Sequence, residues 1–185
     1  MGFHTFDADQ AARLEDPDRY RWVSSEELVG AVAADEAAVV ADLGSGTGFY
    51  TDDVAPHAGT VYGVDVQPEM HEAYREKGVP ANVDLVESDI AALPFETGGL
   101  DAAFSTATFH EFASDAAAAE VARVLRADGR LAVFDWDADG AGDAGPPPSE
   151  RYGVDDAVSM LEGAGFDAIR AVTRTETFAV VATAP

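Results

Sequence analysis

Residues 39–51, VVADLGSGTGFYT, constrain the fold of this chain more than any other stretch. Val39, Val40 and Ala41 form an uninterrupted apolar run, the pattern of a parallel strand covered on both faces. Gly44, Gly46 and Gly48 follow at alternate positions, where they let the backbone turn sharply and approach a ligand with no Cβ in the way. A helix expected over 47–55 would then aim its free N–H groups and positive dipole end at an anionic group. Strand, glycine turn and helix in this order make a nucleotide-binding unit of an open α/β sheet.

The spacing of the glycines narrows the ligand. The dinucleotide fingerprint G-x-G-x-x-G would need glycine at position 49, where Phe49 stands, so an NAD-type oxidoreductase is the weaker reading. A second strand-like run ends at Asp65, about 20 residues beyond the turn, where a carboxylate can accept both hydroxyls of a ribose. A third run ends at Asp89, placed to face an adenine amino group.

The same alternation runs along the rest of the chain. Strand-like runs near 38–43, 60–65, 83–87, 100–105 and 130–136 are separated by helix-like segments over 47–55, 68–77 and 115–126, which predicts βαβ units and a parallel sheet. Ser24 and Ser25 ahead of Glu27 and Leu28 predict a further helix before the first strand. Residues 138–149, ADGAGDAGPPPS, have no periodicity and are expected to form a mobile loop at the carboxyl-end edge of the sheet, either a substrate lid or a plain surface loop. A helix over 154–164, ended by Gly165, and a closing hairpin complete the chain. With 185 residues and no internal repeat, one domain is expected: a cap and helix over 1–35, a core over 36–136, the loop over 137–150, and the last helix and hairpin over 151–185.

Together these residues resemble the class I S-adenosylmethionine-dependent methyltransferases, in particular the small type-11 or ubiquinone-biosynthesis-like enzymes, over roughly residues 24–136. The resemblance implies a Rossmann-like, doubly wound, mostly parallel seven-stranded sheet, an antiparallel C-terminal hairpin and an N-terminal helical cap folded over the cofactor. It implies S-adenosylmethionine as cofactor and S-adenosylhomocysteine as product. The segment from Asp42 to Gly48 would wrap the methionine part, and Ser45, Phe49, Tyr50 and Thr106 join Gly44 and Gly46 as cofactor-binding residues. Asp65 would match the ribose acid, Val66 and Met70 the apolar neighbours of adenine, and Asp89 with Ile90 its edge contacts.

The reacting group is a sulfonium methyl, so the protein's task is to align a nucleophile and exclude water. His110 and Glu111, just after the fourth strand, are the candidate catalytic residues for an acceptor that must lose a proton. Tyr20, Trp22 and Phe109 are the candidate walls of the substrate pocket, since an aromatic face attracts a sulfonium. His4, His57 and His71 are scattered without ligand spacing, so no metal is expected. Relatives of this kind act on quinone precursors, arsenite and many metabolites, and the arsenite enzymes use cysteines, of which this chain has none. A non-catalytic cofactor-binding or interaction protein on the same fold is the alternative from another class.

Thirty-five acids against 11 bases give a net charge of −24, and Lys77 is the only lysine. Phosphate backbones attract clusters of Lys and Arg, so nucleic acid is excluded as a partner and a small, uncharged or cationic acceptor is expected. No long apolar run predicts a membrane span, and with no leader-like segment the expected location is the cytoplasm. Oligomeric state is not encoded in any motif. Self-repulsion on this scale burdens the compact state at low salt, which points to a halophilic source. The melting temperature is expected to rise strongly from dilute buffer to molar KCl; a flat or falling response in a thermal scan would remove that reading.

Overall fold

The seven strands of one sheet run in the order β3-β2-β1-β4-β5-β7-β6. They are β1 (Val39–Leu43), β2 (Thr60–Asp65), β3 (Val83–Glu87), β4 (Leu100–Thr106), β5 (Leu125–Trp136), β6 (Asp167–Thr173) and β7 (Thr177–Thr183). The first five are parallel to one another, whereas β7 is antiparallel to both β5 and β6. This computed structural model describes residues 6–185, without the side chains of residues 8 and 9. Phe3, His4 and the first residues of the expected cap lie outside the described residues.

Side chains alternate across each strand, and this divides the apolar residues between two cores. Val40, Ala102, Phe104, Ala132 and Phe134 face one side, together with Leu28 and Val32 of α1 (Ser25–Val32), Val54 of α2 (Thr51–Val54) and Tyr74 of α3 (Pro68–Lys77). Ala41, Leu43, Ala103, Leu131, Val133 and Phe178 face the other. There they meet Phe109 and Phe112 of α4 (Phe109–Phe112), Val121 and Val124 of α5 (Asp115–Val124) and Leu161 of α6 (Val154–Gly163). Helices on both faces of a mostly parallel sheet make the fold doubly wound and Rossmann-like, with the expected antiparallel hairpin at its end. No helix among the described residues is long and apolar enough to cross a membrane.

Two local expectations are corrected. The helix expected over 47–55 is shortened to α2 and runs into a 3-10 turn at Ala55–His57, because left-handed glycines continue to Gly48, at φ +80°. The helix expected over 115–126 ends at Val124, and Leu125 opens a longer fifth strand whose pairing with β4 shifts register between Leu100 and Ala102. The loop over 138–149 is tied to the sheet by hydrogen bonds. Glu176, just before β7 and 3% exposed, accepts the Gly142 and Asp143 N–H groups at 3.1 Å each. Arg151 donates to Pro146 O at 2.8 Å, to Ala144 O and to Glu176 Oε2 at 3.3 Å, so a buried ion pair gathers the loop onto the sheet. Periodicity could not reveal that, because both partners lie outside the loop itself.

Candidate functional site

Strand order reverses between β1 and β4, and ligands of open α/β sheets bind at the carboxyl ends of the strands at such a point. A cavity of about 630 Å³ opens there, within the usual range for small-molecule sites. Its floor is the glycine turn after β1. Gly44 stands at φ +84° with its Cα against the Thr108 side chain, and Gly48 packs its Cα on the ring of Tyr74, so neither position has room for a Cβ.

Asp65, at the end of β2, preorganises this floor. Its Oδ2 accepts the Gly46 N–H at 2.8 Å and its Oδ1 accepts the Gln67 N–H at 2.9 Å. Each oxygen keeps a second acceptor position, and the carboxylate lines the cavity. Val66, Met70 and Ile90 supply apolar surface beside it, while Ser45, Gly44, Gly46, Tyr50 and Thr106 also line the space. Asp89 reaches the wall as well, with Oδ1 capping the short turn Ile90–Ala92 through the Ala91 N–H at 2.8 Å.

Other expected residues stand behind the wall. Asp42 is 1% exposed, accepts the Thr51 hydroxyl at 2.6 Å on one oxygen, and has no partner on the other. Phe49 and Tyr20 stack on each other at 4.8 Å away from the lining, with the Tyr20 hydroxyl donating to Asp53. Trp22 packs edge-on against Trp136 at 5.2 Å, and Trp136 is the indole that lines the cavity. The expectation of Phe109 as a pocket wall is corrected: its ring is 2% exposed and turns into the core against Phe112, Tyr152 and Phe178. On a one-turn helix an aromatic can point up to the cavity or down to the sheet, and burial of the apolar ring decides.

His110 and Glu111 both line the cavity, with His110 Nε2 4.0 Å from Glu111 Oε1. Burial pushes the Glu111 carboxyl up to about 7. Burial by itself would lower the His110 pKa, but the hydrogen bond and charge of Asp135, with Glu111 and Glu150 behind it, raise it.

Several lining residues were not expected. Arg19 of the cap stacks on the rings of Phe49 and Tyr50 at 5.0 and 4.8 Å and donates to Leu14 O at 2.7 Å. An arginine set among aromatics in an acid-rich chain, RYRW, is the signal that marks it. Phe6, Gln67, Thr108, Pro146 and Glu150 also line the cavity, and Gln67 Nε2 donates to Phe6 O at 3.1 Å, drawing the described start of the cap over the opening. The cap is held lower down by Glu15, which accepts from the Thr47 hydroxyl in the glycine turn and from Lys77 at 3.2 Å.

Burial also raises the Asp42 carboxyl, to about 7, against the hydrogen bond from Thr51 and the charge of Arg19. Between roughly pH 4 and 7 the folded chain therefore holds a proton that the unfolded chain has released. Stability from this group falls as pH rises through that window. Asp42→Asn is expected to raise the melting temperature of the cofactor-free protein at pH 8 and to leave it nearly unchanged at pH 5. An equal effect at both values in a calorimetric scan would contradict the assignment.

The donor set suits S-adenosylmethionine. Asp65 keeps free acceptor positions at the cavity wall, and Arg19 places a cation beside the turn. The comparisons agree. A family profile described as "Methyltransferase domain" matches residues 41–133. The crystal structure of an S-adenosylmethionine-dependent methyltransferase from Aquifex aeolicus is 31% identical, covers 98% of this chain and is itself covered completely, with a TM-score of 0.87. A demethylmenaquinone methyltransferase of Thermus thermophilus is 33% identical over 62% of this chain and 51% of its own length. An arsenite methyltransferase of Halobacterium salinarum is 31% identical over 92% of this chain and 48% of its own. The chain spans about half the length of the curated relatives it matches. Family, fold and cavity converge: the chain belongs to the class I S-adenosylmethionine-dependent methyltransferases.

Proposed function

We propose that this chain transfers the methyl group of S-adenosylmethionine to a small organic acceptor held where His110, Glu111 and Trp136 line the cavity. The observation that carries this reading is the continuity of the cavity, which runs from the glycine turn and Asp65 to His110 without a dividing wall. When bound, the cofactor supplies an electrophilic methyl on a sulfonium. Asp65 accepts from the ribose hydroxyls, and Val66, Met70 and Ile90 pack the adenine, with Asp89 at its edge. Arg19 pairs with the methionine carboxylate. The cap from Phe6 to Tyr20 and the pinned loop at Pro146 exclude water, and His110 takes a proton from an acceptor that has one to lose. The arsenite activity in the name of the Halobacterium relative is not carried over, because this chain has no cysteine to present arsenic as a thiolate adduct. An organic acceptor, as in the demethylmenaquinone name, suits it better.

Calorimetry with S-adenosylhomocysteine and with NAD, followed by incubation of a cell extract with labelled methyl donor, tests the reading. Binding of the homocysteine nucleoside and label on a small molecule support it. NAD binding alone would overturn it, and cofactor binding with no label transferred to quinols, phenols, amines or thiols favours a non-catalytic protein on this fold.

A further inference from the structure

His110 lies in the first turn of α4 with its Nδ1 3.0 Å from both carboxylate oxygens of Asp135, which ends the core-lining part of β5. Asp135 is 2% exposed; its Oδ2 also accepts the His110 backbone N–H at 2.6 Å, and its Oδ1 accepts the Trp136 N–H at 2.8 Å. A carboxylate gathering two backbone donors offers the ring only acceptor lone pairs. In the neutral ring the hydrogen is therefore held on Nδ1, and Nε2 keeps its lone pair. Nε2 lies on the Glu111 side, where both residues line the cavity.

We propose that Asp135 is a positioning residue that makes His110 Nε2 a proton acceptor, and that the methyl acceptor is accordingly a nucleophile with an acidic O–H, a phenol or an enol. The acceptor class rests on the methyl-transfer reading above. Nucleophiles with no proton to lose, such as thioethers, gain nothing from a base. In the step, the X–H bond of the acceptor breaks and its proton goes to Nε2. The electron pair stays on X and forms the bond to the methyl carbon, while the pair of the C–S bond remains on sulfur. The imidazolium then releases its proton to water. The charged groups facing the ring are Asp135 from β5, Glu111 from α4 and Glu150 from the loop. All three are carboxyls, which favour the imidazolium as it forms.

Nitrogen NMR on cofactor-free protein labelled in histidine tests the geometry without any acceptor, the His110 signals being assigned with His110→Gln. The Nδ1–H tautomer is expected in the wild type, with a titration midpoint that moves to lower pH in Asp135→Asn and returns part of the way in Asp135→Glu. An Nε2–H tautomer, or a midpoint unmoved by Asp135→Asn, overturns the positioning role. Should Asp135→Asn fail to fold, the wild-type tautomer still decides. In turnover, the acid limb of kcat/KM is expected to follow the same midpoint, which loss of structure alone would not produce. Label recovered on a thioether sulfur or an amine nitrogen overturns the acceptor class. An Nδ1–H tautomer in a protein that transfers no methyl supports the positioning geometry and overturns the methyl-transfer reading.

Discussion

Gly48→Ala is expected to cost about 4 kcal/mol of folding stability, from left-handed strain and overpacking of one to three each. Gly48 has φ +80°, and a Cβ there would sit inside the ring of Tyr74. That ring cannot retreat. It is 0% exposed, its hydroxyl donates to Asp52 at 2.6 Å, and Lys77 Nζ lies 4.7 Å from its centroid. For a domain of this size the loss corresponds to a fall in melting temperature of about 10 °C. Gly30→Ala is the control with the opposite sign, because Gly30 lies inside α1 with nothing within 4 Å of a new Cβ. There the change is expected to stabilise by about 0.5–1 kcal/mol. A calorimetric scan of both variants decides: equal melting temperatures for wild type and Gly48→Ala would refute the packing of the turn on α3.

The second large effect is on binding. Asp65→Ala is expected to weaken S-adenosylhomocysteine about 100-fold or more, since two hydrogen bonds to a charged acceptor are lost at about 1.5 kcal/mol or more each. The loss has two sources. In the proposed role the ribose hydroxyls would lose their acceptor, and the Gly46 N–H loses the carboxylate that holds the turn at 2.8 Å. Asp65→Asn keeps an acceptor but no charge, and should fall between the two. Calorimetric titration measures all three proteins, and an Asp65→Ala affinity within threefold of wild type would remove the ribose role.

Much of this molecule was legible beforehand because local pattern and tertiary demand coincide in it. An apolar run buried on both faces can only be an inner strand, and an acid at the end of the next strand falls beside the turn whatever surrounds it. Residues 68–77 show the same agreement: Pro68 at the first turn and Gly78 after Lys77 bound the helix on both sides, and α3 spans them. Legibility ends where the choice is between two faces of a short element. Phe109 and His110 are adjacent on one turn of α4, yet the ring of one is spent on the core and the other lines the cavity.

What the sequence determined by itself is the frame: β1, the glycine turn, Asp65 and Asp89 at successive strand ends, and with them the cofactor class. Each follows from spacing along the chain, which survives any rearrangement of distant parts. Only the tertiary structure decided which side chains meet. Asp135 reaches His110 across 25 positions, Arg19 crosses 31 positions to put its backbone carbonyl under the Tyr50 hydroxyl, and Glu176 gathers a loop from 33 positions away. These pairings answer to burial and to the need of each buried polar group for a partner, and both are properties of the packed sheet that no local pattern carries.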